Sequence, residues 1–268
     1  MISQLWNRVN YVSGLKFLFS TYIREYDISK ANINILYTRG VIDKNLYDKL
    51  SVASREERQI TIGLLQQRDR NVIKELTEGI KQAKKALFEL NALEDTDILT
   101  IKNDAVFIVG KNLKHTQVSE YVEFKLKNTF TNFVNVTGIE IYYGYDRVSG
   151  IENIDVKGLG KNKYLHDNFM TDFIIYIMNS LEVGETSDAV SSFVDFYDDY
   201  VSGRLDIGYY REYNSASMYS IMNTHYKVFN ADNDEYTKTK VIDISYNLAV
   251  LRELFSMISG KYFTGINF

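Results

Sequence analysis

Residues 98–109 carry the pattern with the fewest structural alternatives. Two β-rich runs, Ile-Leu-Thr-Ile-Lys and Ala-Val-Phe-Ile-Val, stand on either side of Asn103-Asp104. Branched and aromatic side chains suit a pleated, half-buried surface, and both turn residues tolerate the positive φ that a tight hairpin needs. We therefore predict a β-hairpin with Asp104 at its tip.

A helix is predicted directly before this hairpin, over residues 71–91. Its apolar residues recur at three- and four-residue intervals and share one face: Val72, Leu76, Ile80, Ala83, Leu87 and Leu90. Lys81, Lys84 and Lys85 are interpreted as its solvated face.

The first forty residues contain a second β-rich signal around Asp27. We predict a strand that ends near Asp27, followed by a helix that Ser29 caps and Gly40 ends. Helices are also predicted over 43–50 and 54–68. The second of these begins with Ser54 and Glu57 at the spacing of a capping box.

The remaining residues change from β-rich to helical character. Strands are predicted between 122 and 145, and helices over 168–182, 188–202 and 243–259. Strands with packed helices followed by a mainly helical part indicate an α+β fold. We expect an α+β domain over 1–160 and a mainly helical domain over 161–268.

The composition is that of a globular protein, with 45% hydrophobic and 25% charged residues. The chain has no cysteine, which excludes disulfides and thiolate chemistry. No apolar run reaches the roughly 18 residues of a membrane span, and residues 1–10 lack a secretory pattern. We expect a cytoplasmic protein without a membrane partner. The absence of proline and the 21 tyrosines fit an AT-rich genome such as that of a phage, which would place the protein in the host cytoplasm.

Charge is distributed unevenly along the chain, whose net charge is −4. Residues 39–127 contain 16 Lys/Arg and 14 Asp/Glu, whereas residues 181–213 contain 2 and 8. A polyanion is therefore expected to contact the first part of the chain.

Asp27 and Asp104 are the main candidates for chemistry. Each aspartate alone is most simply a cap or turn residue. If their strands are neighbours, however, both carboxylates emerge at one sheet edge, within about 4–8 Å of each other, where they can hold Mg²⁺ or Mn²⁺. Divalent cations held in this way support phosphoryl transfer.

Several short motifs resemble family B DNA polymerases. Residues 103–108, Asn-Asp-Ala-Val-Phe-Ile, resemble the catalytic hairpin Asp-Thr-Asp-Ser-Val-Phe-Val, with Asp104 at its second aspartate. Asp27 and the following residues resemble the first palm motif. Lys125-Leu-Lys127 is similar to the Lys-Lys-x-Tyr motif that contacts the primer-template. Asp155-Val-Lys157-Gly158 is similar to a stretch between palm and thumb.

The resemblance implies a polymerase-like palm sheet, a thumb-like helical part and DNA-directed DNA synthesis on a primer-template. Asp27 and Asp104 would be the catalytic metal ligands, and Lys125, Lys127 and Lys157 would bind nucleic acid. Arg55 and Arg58 are the nearest substitutes for the triphosphate-binding fingers motif, which is missing. A partner polymerase subunit is therefore also expected.

Two positions depart from the family pattern. Lys102 stands where the family hairpin has its first aspartate, and Asn32 where the family has the tyrosine that excludes ribonucleotides. The alternative is a non-catalytic phage interaction or assembly protein, or an inactive polymerase-like subunit. A third acidic or basic group near the hairpin distinguishes these interpretations.

Overall fold

A computed structural model describes residues 2–146, 151–158, 167–205 and 245–264. The chain forms two compact units and passes between them more than once. The first contains Met1–Gly14, Ser20–Thr131 and Tyr145–Asn153, and the second contains Leu15–Phe19, Asn132–Gly144 and Ile154–Phe268. The boundaries of these units therefore differ from the single domain boundary expected after residue 160. Helices and two antiparallel sheets are both present, so the expected mixed α+β class is confirmed.

The sheet of the first unit has five antiparallel strands in the order β1-β4-β5-β3-β6. Their bounds are β1 (Asn10–Val12), β3 (Ile23–Ile28), β4 (Ile98–Lys102), β5 (Ala105–Val109) and β6 (Phe124–Phe130). The short strand β2 (Phe17–Leu18) belongs to the other sheet.

The predicted hairpin joins β4 to β5, with Lys102 opposite Ala105. Asn103 adopts a positive φ of 51°, a conformation that asparagine tolerates better than most residues. Its N–H donates a hydrogen bond to the carbonyl of Val9 at 2.7 Å. The turn that carries Asp104 is therefore held both by the pairing of β4 with β5 and by the hydrogen bond to Val9.

Four helices connect β3 to β4: α1 (Ala31–Thr38), α2 (Lys44–Val52), α3 (Arg55–Arg68) and α4 (Asn71–Leu90). Ser54 and Glu57 form both hydrogen bonds of the predicted capping box of α3. The predicted Ser29 cap is wrong. Lys30, in a left-handed conformation at φ 47°, precedes α1 instead and makes no side-chain cap. Gly40 follows α1 at φ 68°, a conformation that glycine adopts without strain.

Helices α1 and α4 cover one face of the sheet. Ile80, Leu87 and Phe88 of α4 pack in one buried cluster with Tyr26 and Val106. Burial of each such side chain contributes about 1.5–3 kcal/mol, so this layer is a main source of stability. Because strand residues alternate between faces, Asp27 lies on the opposite face from Tyr26.

The second unit contains a sheet in the order β2-β7-β8-β9. Its further elements are β7 (Asn132–Val136), β8 (Ile139–Asp146), β9 (Ile151–Lys157), α5 (Asp167–Glu182), α6 (Thr186–Val201) and α7 (Ser245–Thr264). The last two residues of β8 and the first three of β9 are counted with the first unit. The helices predicted from 168 and from 188 are confirmed. The third is confirmed from residue 245, and residues 243–244 lie outside the described part. No described helix is long and apolar enough to cross a membrane.

Candidate functional site

Asp27 and Asp104 lie on neighbouring strands of the first unit. Asp27 is the second-last residue of β3 and pairs with Ala105, the residue after Asp104. The N–H of Ile28 donates a hydrogen bond to the carbonyl of Asp104 at 3.3 Å. The strand pairing thus brings together the two aspartates that the sequence singled out.

Both carboxyl groups are electrostatically unfavourable when ionised. Burial raises the pKa of Asp27, and the charges of Asp104 and Glu25 raise it further, whereas Lys127 lowers it. Burial also raises the pKa of Asp104, against the lowering effect of hydrogen bonds and of Lys127 and Lys84. Within the described structure, the buried Oδ1 of Asp27 has no hydrogen-bond partner. An added cation would therefore relieve both repulsion and lost solvation.

The two aspartates line a cavity of about 300 Å³. This volume is at the lower limit for small-molecule binding sites. Its charged lining residues are Asp27, Asp104, Lys30, Arg55, Arg58 and Lys127. Asn32 also lines it. Cationic groups outnumber carboxylates in this lining, so the cavity suits an anionic ligand.

The arginines reach the cavity from the first turn of α3. The capping box at Ser54 fixes where this turn begins, and Arg55 is its first residue. The guanidinium of Arg58 donates a hydrogen bond to the carbonyl of Ala53 at 2.6 Å, and its neighbour Gln59 also lines the cavity. Placement of Arg55 and Arg58 thus depends on a local sequence signal.

Lys127 meets the carboxylates through a β-bulge. In the pairing of β3 with β6, Glu25 lies opposite Asn128 and Tyr26 opposite Leu126, so Lys127 falls between the two pairs. Its Nζ lies 3.4 Å from Glu25 Oε1 and 3.9 Å from Asp27 Oδ2. Sequence reasoning missed Glu25, although its spacing of two residues from Asp27 on one strand was an available signal.

Lys84 contradicts its interpretation as a solvated residue. Its side chain is fully buried, and its Nζ donates a hydrogen bond to the carbonyl of Arg8. Burial is the main reason that the pKa of Lys84 is lowered to about 8, and Lys81 adds to this effect. Lys84 lies four residues from both Ile80 and Phe88, so helical periodicity could have placed it on the apolar face.

The two other predicted nucleic-acid contacts are not among the residues that line the cavity. Lys125 lies opposite Asp27 in the strand pairing, but its Nζ is 3.5 Å from Glu123 Oε2. Lys157 belongs to the second unit, where its Nζ is 2.8 Å from Asp155 Oδ2. Of the two lysines in the first unit, Lys127 is the one that contacts an aspartate of the pair.

Asp27 and Asp104 are the two carboxylates of this cavity that could hold a metal ion. No group of three or more His, Asp or Glu ligands is found in the described ranges. Mg²⁺ commonly binds one or two carboxylates and completes its octahedron with water and substrate phosphates. Asp27 and Asp104 provide two such carboxylates, and the unpartnered Oδ1 of Asp27 is available as a ligand.

Comparison with known families identifies the origin of the chain. The sequence model of a family described as Bacteriophage PBS1 gene 130 protein matches residues 1–259. The chain belongs to this family. Membership in this phage family supports the expected phage origin, and the family description names no activity. No curated protein matches the sequence.

Proposed function

We propose that this phage protein is a minimal, family B-like nucleotidyltransferase that adds nucleotides to a primed template in the host cytoplasm. One observation carries this proposal: Asp27, Asp104, Arg55 and Arg58 all line a single cavity. The motif resemblance assigned the two aspartates to metal, and the two arginines were the nearest substitutes for the missing triphosphate-binding motif. Their convergence from three separate stretches of sequence supports a common ligand.

Each residue has a defined task in this proposal. Asp27 and Asp104 would hold Mg²⁺ or Mn²⁺, which when bound supplies a positive centre that neutralises phosphate charge. Arg55 and Arg58 hold the triphosphate by charge-assisted hydrogen bonds and orient it towards the aspartates. Lys125, Lys127 and Lys157 bind the nucleic-acid backbone.

A second candidate is an inactive polymerase-like subunit or phage assembly protein. One reason for this candidate is Lys102, which stands where the family B polymerase hairpin has an aspartate. Another is Lys127, whose positive charge acts on both Asp27 and Asp104. In that case the cavity would bind a nucleotide without transferring it. A partner subunit would then supply the missing fingers function.

Primer extension with Mn²⁺ tests the proposed activity. We expect the wild-type protein to extend a primed template, and Asp104→Asn to lower the rate at least about a hundredfold, because a metal ion contributes several kcal/mol to such a transition state. Arg55→Ala should weaken triphosphate binding about tenfold, since it loses a charge-assisted hydrogen bond. Arg68→Ala, at the far end of the same helix, is the matched control.

The outcomes separate the two candidates. Triphosphate binding that depends on Arg55 without extension would favour the inactive subunit. If the protein neither binds triphosphate nor extends the primer, alone or with other phage replication proteins, the polymerase interpretation is ruled out.

Salt dependence tests the nucleic-acid contacts. Replacing Lys125 and Lys127 with alanine should reduce the slope of log K against log[salt] by about two, because each phosphate contact releases roughly one counterion. Fluorescence anisotropy of a labelled primer-template measures this slope. Lys44→Ala removes an exposed lysine that pairs with Asp48 and should leave the slope unchanged. An equal loss in both variants would contradict a specific contact.

A further inference from the structure

Lys127 is placed among the carboxylates by the irregularity in β6. Asn128 lies opposite Glu25, and Lys127 is the extra residue before the next pair; both contact the Glu25 carboxylate, with Asn128 Nδ2 donating to Oε2 at 2.6 Å and Lys127 Nζ to Oε1 at 3.4 Å. A bulge of this kind re-aims side chains, and bulges are frequent next to active sites. The contact between Lys127 and Asp27 is therefore a consequence of backbone geometry.

Lys125 provides a natural comparison on the same strand. Both lysines are about half exposed or more, at 61% for Lys125 and 52% for Lys127. Lys125 lies directly opposite Asp27, yet its ammonium group pairs with Glu123. The two lysines lie on the same strand and are similarly exposed. Of the two, Lys127 is the one whose ammonium group contacts Asp27 and Glu25.

The ammonium group of Lys127 and a divalent cation would compete for the same carboxylate. Nζ lies 3.9 Å from Asp27 Oδ2, a long contact that leaves Oδ1 unpartnered in the described structure. Mg²⁺ requires carboxylate oxygens at about 2.0–2.1 Å and carries twice the charge. Two cations this close repel each other, so metal binding at Asp27 requires Lys127 to move.

We propose that Lys127 is an exchangeable counter-ion of the metal centre, an inference that rests on the proposed metal site at Asp27 and Asp104. In the metal-free protein the single charge of Lys127 is shared between Asp27 and Glu25. A divalent cation displaces it from Asp27, and its exposed, flexible side chain then becomes available to a phosphate of the nucleic acid. Lys127 thereby lowers the intrinsic metal affinity and links metal binding to backbone binding.

The linkage has a defined direction. If the metal releases Lys127 towards phosphate, nucleic acid that holds Lys127 removes the competitor from Asp27. Metal and nucleic acid therefore increase each other's affinity by the same factor. The metal centre is then filled most readily when a primer-template is present.

Titration of the metal-free protein with Mn²⁺, without nucleic acid or nucleotide, tests this inference, with free Mn²⁺ measured by electron paramagnetic resonance. We expect Lys127→Met to bind Mn²⁺ about five- to tenfold more tightly than the wild type, because a like charge close to the site is removed. Lys127→Arg retains the charge and should bind like the wild type. Lys125→Met, the matched control, should differ from the wild type by less than about twofold.

Asp27→Asn separates failure of this inference from failure of the proposed site. If Asp27→Asn loses Mn²⁺ binding but Lys127→Met binds no more tightly than the wild type, the counter-ion role of Lys127 is wrong and the metal site stands. If the wild type binds no Mn²⁺, or Asp27→Asn binds it equally well, both are wrong. Equal gains in Lys127→Met and Lys125→Met would reduce the effect to general surface charge and also overturn the proposal.

Discussion

Without metal, Asp27→Asn is expected to be more stable than the wild type, while losing its response to Mn²⁺. Burial and the charges of Asp104 and Glu25 all disfavour the ionised Asp27 carboxylate. The amide removes this charge at nearly constant shape. Its NH₂ can also donate to a neighbouring carboxylate. We expect a gain of about 1 kcal/mol in the free energy of unfolding.

The gain should depend on pH in a defined direction. Because the pKa of Asp27 is raised in the folded protein, the native state holds a proton that the unfolded state has released. The stability of the wild type therefore falls as pH rises above the ordinary carboxyl range near pH 4. The amide introduced by Asp27→Asn does not titrate, so the difference between the two proteins should grow over that interval and then remain constant.

Thermal and urea unfolding between pH 4 and pH 8, with and without Mn²⁺, measures both effects. Bound metal stabilises the wild type according to its concentration relative to Kd, a contribution that Asp27→Asn should lack. Asp48→Asn, an exposed aspartate paired with Lys44, is the control and should change stability by less than about 0.5 kcal/mol. A less stable Asp27→Asn protein that still responds to Mn²⁺ would contradict the assigned role.

Local patterns were sufficient for the hairpin and for most helices of the first unit. The Asn103-Asp104 turn and the Ser54 capping box involve contacts between residues close in sequence, so their signals lie within short windows. Adjacency of Asp27 and Asp104 needed one more step, the pairing of β3 with β5 across almost eighty residues. The sequence left that pairing as a condition, since periodicity contains no information on strand order.

The second sheet illustrates what a single sequence does not reveal. Strand β2 consists of Phe17 and Leu18 alone and pairs with Val134 and Phe133, more than a hundred residues later. A two-residue strand has no periodicity, so residues 15–19 could not be assigned to a separate unit. Pairs of this kind, between residues far apart in sequence, are the reason that each unit contains several separate segments of the chain.

Two lysine assignments from the sequence did not anticipate the structure. Lys125 and Lys127 were predicted to share one role, contact with nucleic acid. Their partners differ in the structure, because Lys127, the extra residue of the bulge, contacts Glu25 and Asp27, whereas Lys125 pairs with Glu123. Lysine as a residue type is rarely buried, and this general preference outweighed the helical position of Lys84 in the sequence interpretation.

The largest change in stability is expected from Lys84→Met. The Lys84 side chain is fully buried, and burial lowers its pKa to about 8 from an ordinary value of 10.5. This difference corresponds to about 3 kcal/mol of unfavourable free energy when the folded protein holds the proton at pH 7. Loss of the hydrogen bond to the Arg8 carbonyl offsets about 1 kcal/mol. A net gain of about 1–3 kcal/mol follows, as for other buried charges replaced by apolar groups.

The pH dependence distinguishes this origin from simple repacking. Between pH 8 and pH 10.5 folded Lys84 has released its proton, whereas the unfolded chain still binds one. Wild-type stability therefore rises with pH across this interval through Lys84, and methionine has no such contribution. The advantage of Lys84→Met should be largest below pH 8 and shrink towards pH 10.5. Urea unfolding at pH 7, 9 and 10 measures it, with Lys74→Met, an exposed site on the same helix, as control. A Lys84→Met protein that is less stable than the wild type at pH 7 would contradict this prediction. It would show that the hydrogen bond from Lys84 to the Arg8 carbonyl contributes more stability than burial of the charge costs. Arg8 precedes Val9, whose carbonyl accepts the hydrogen bond from Asn103.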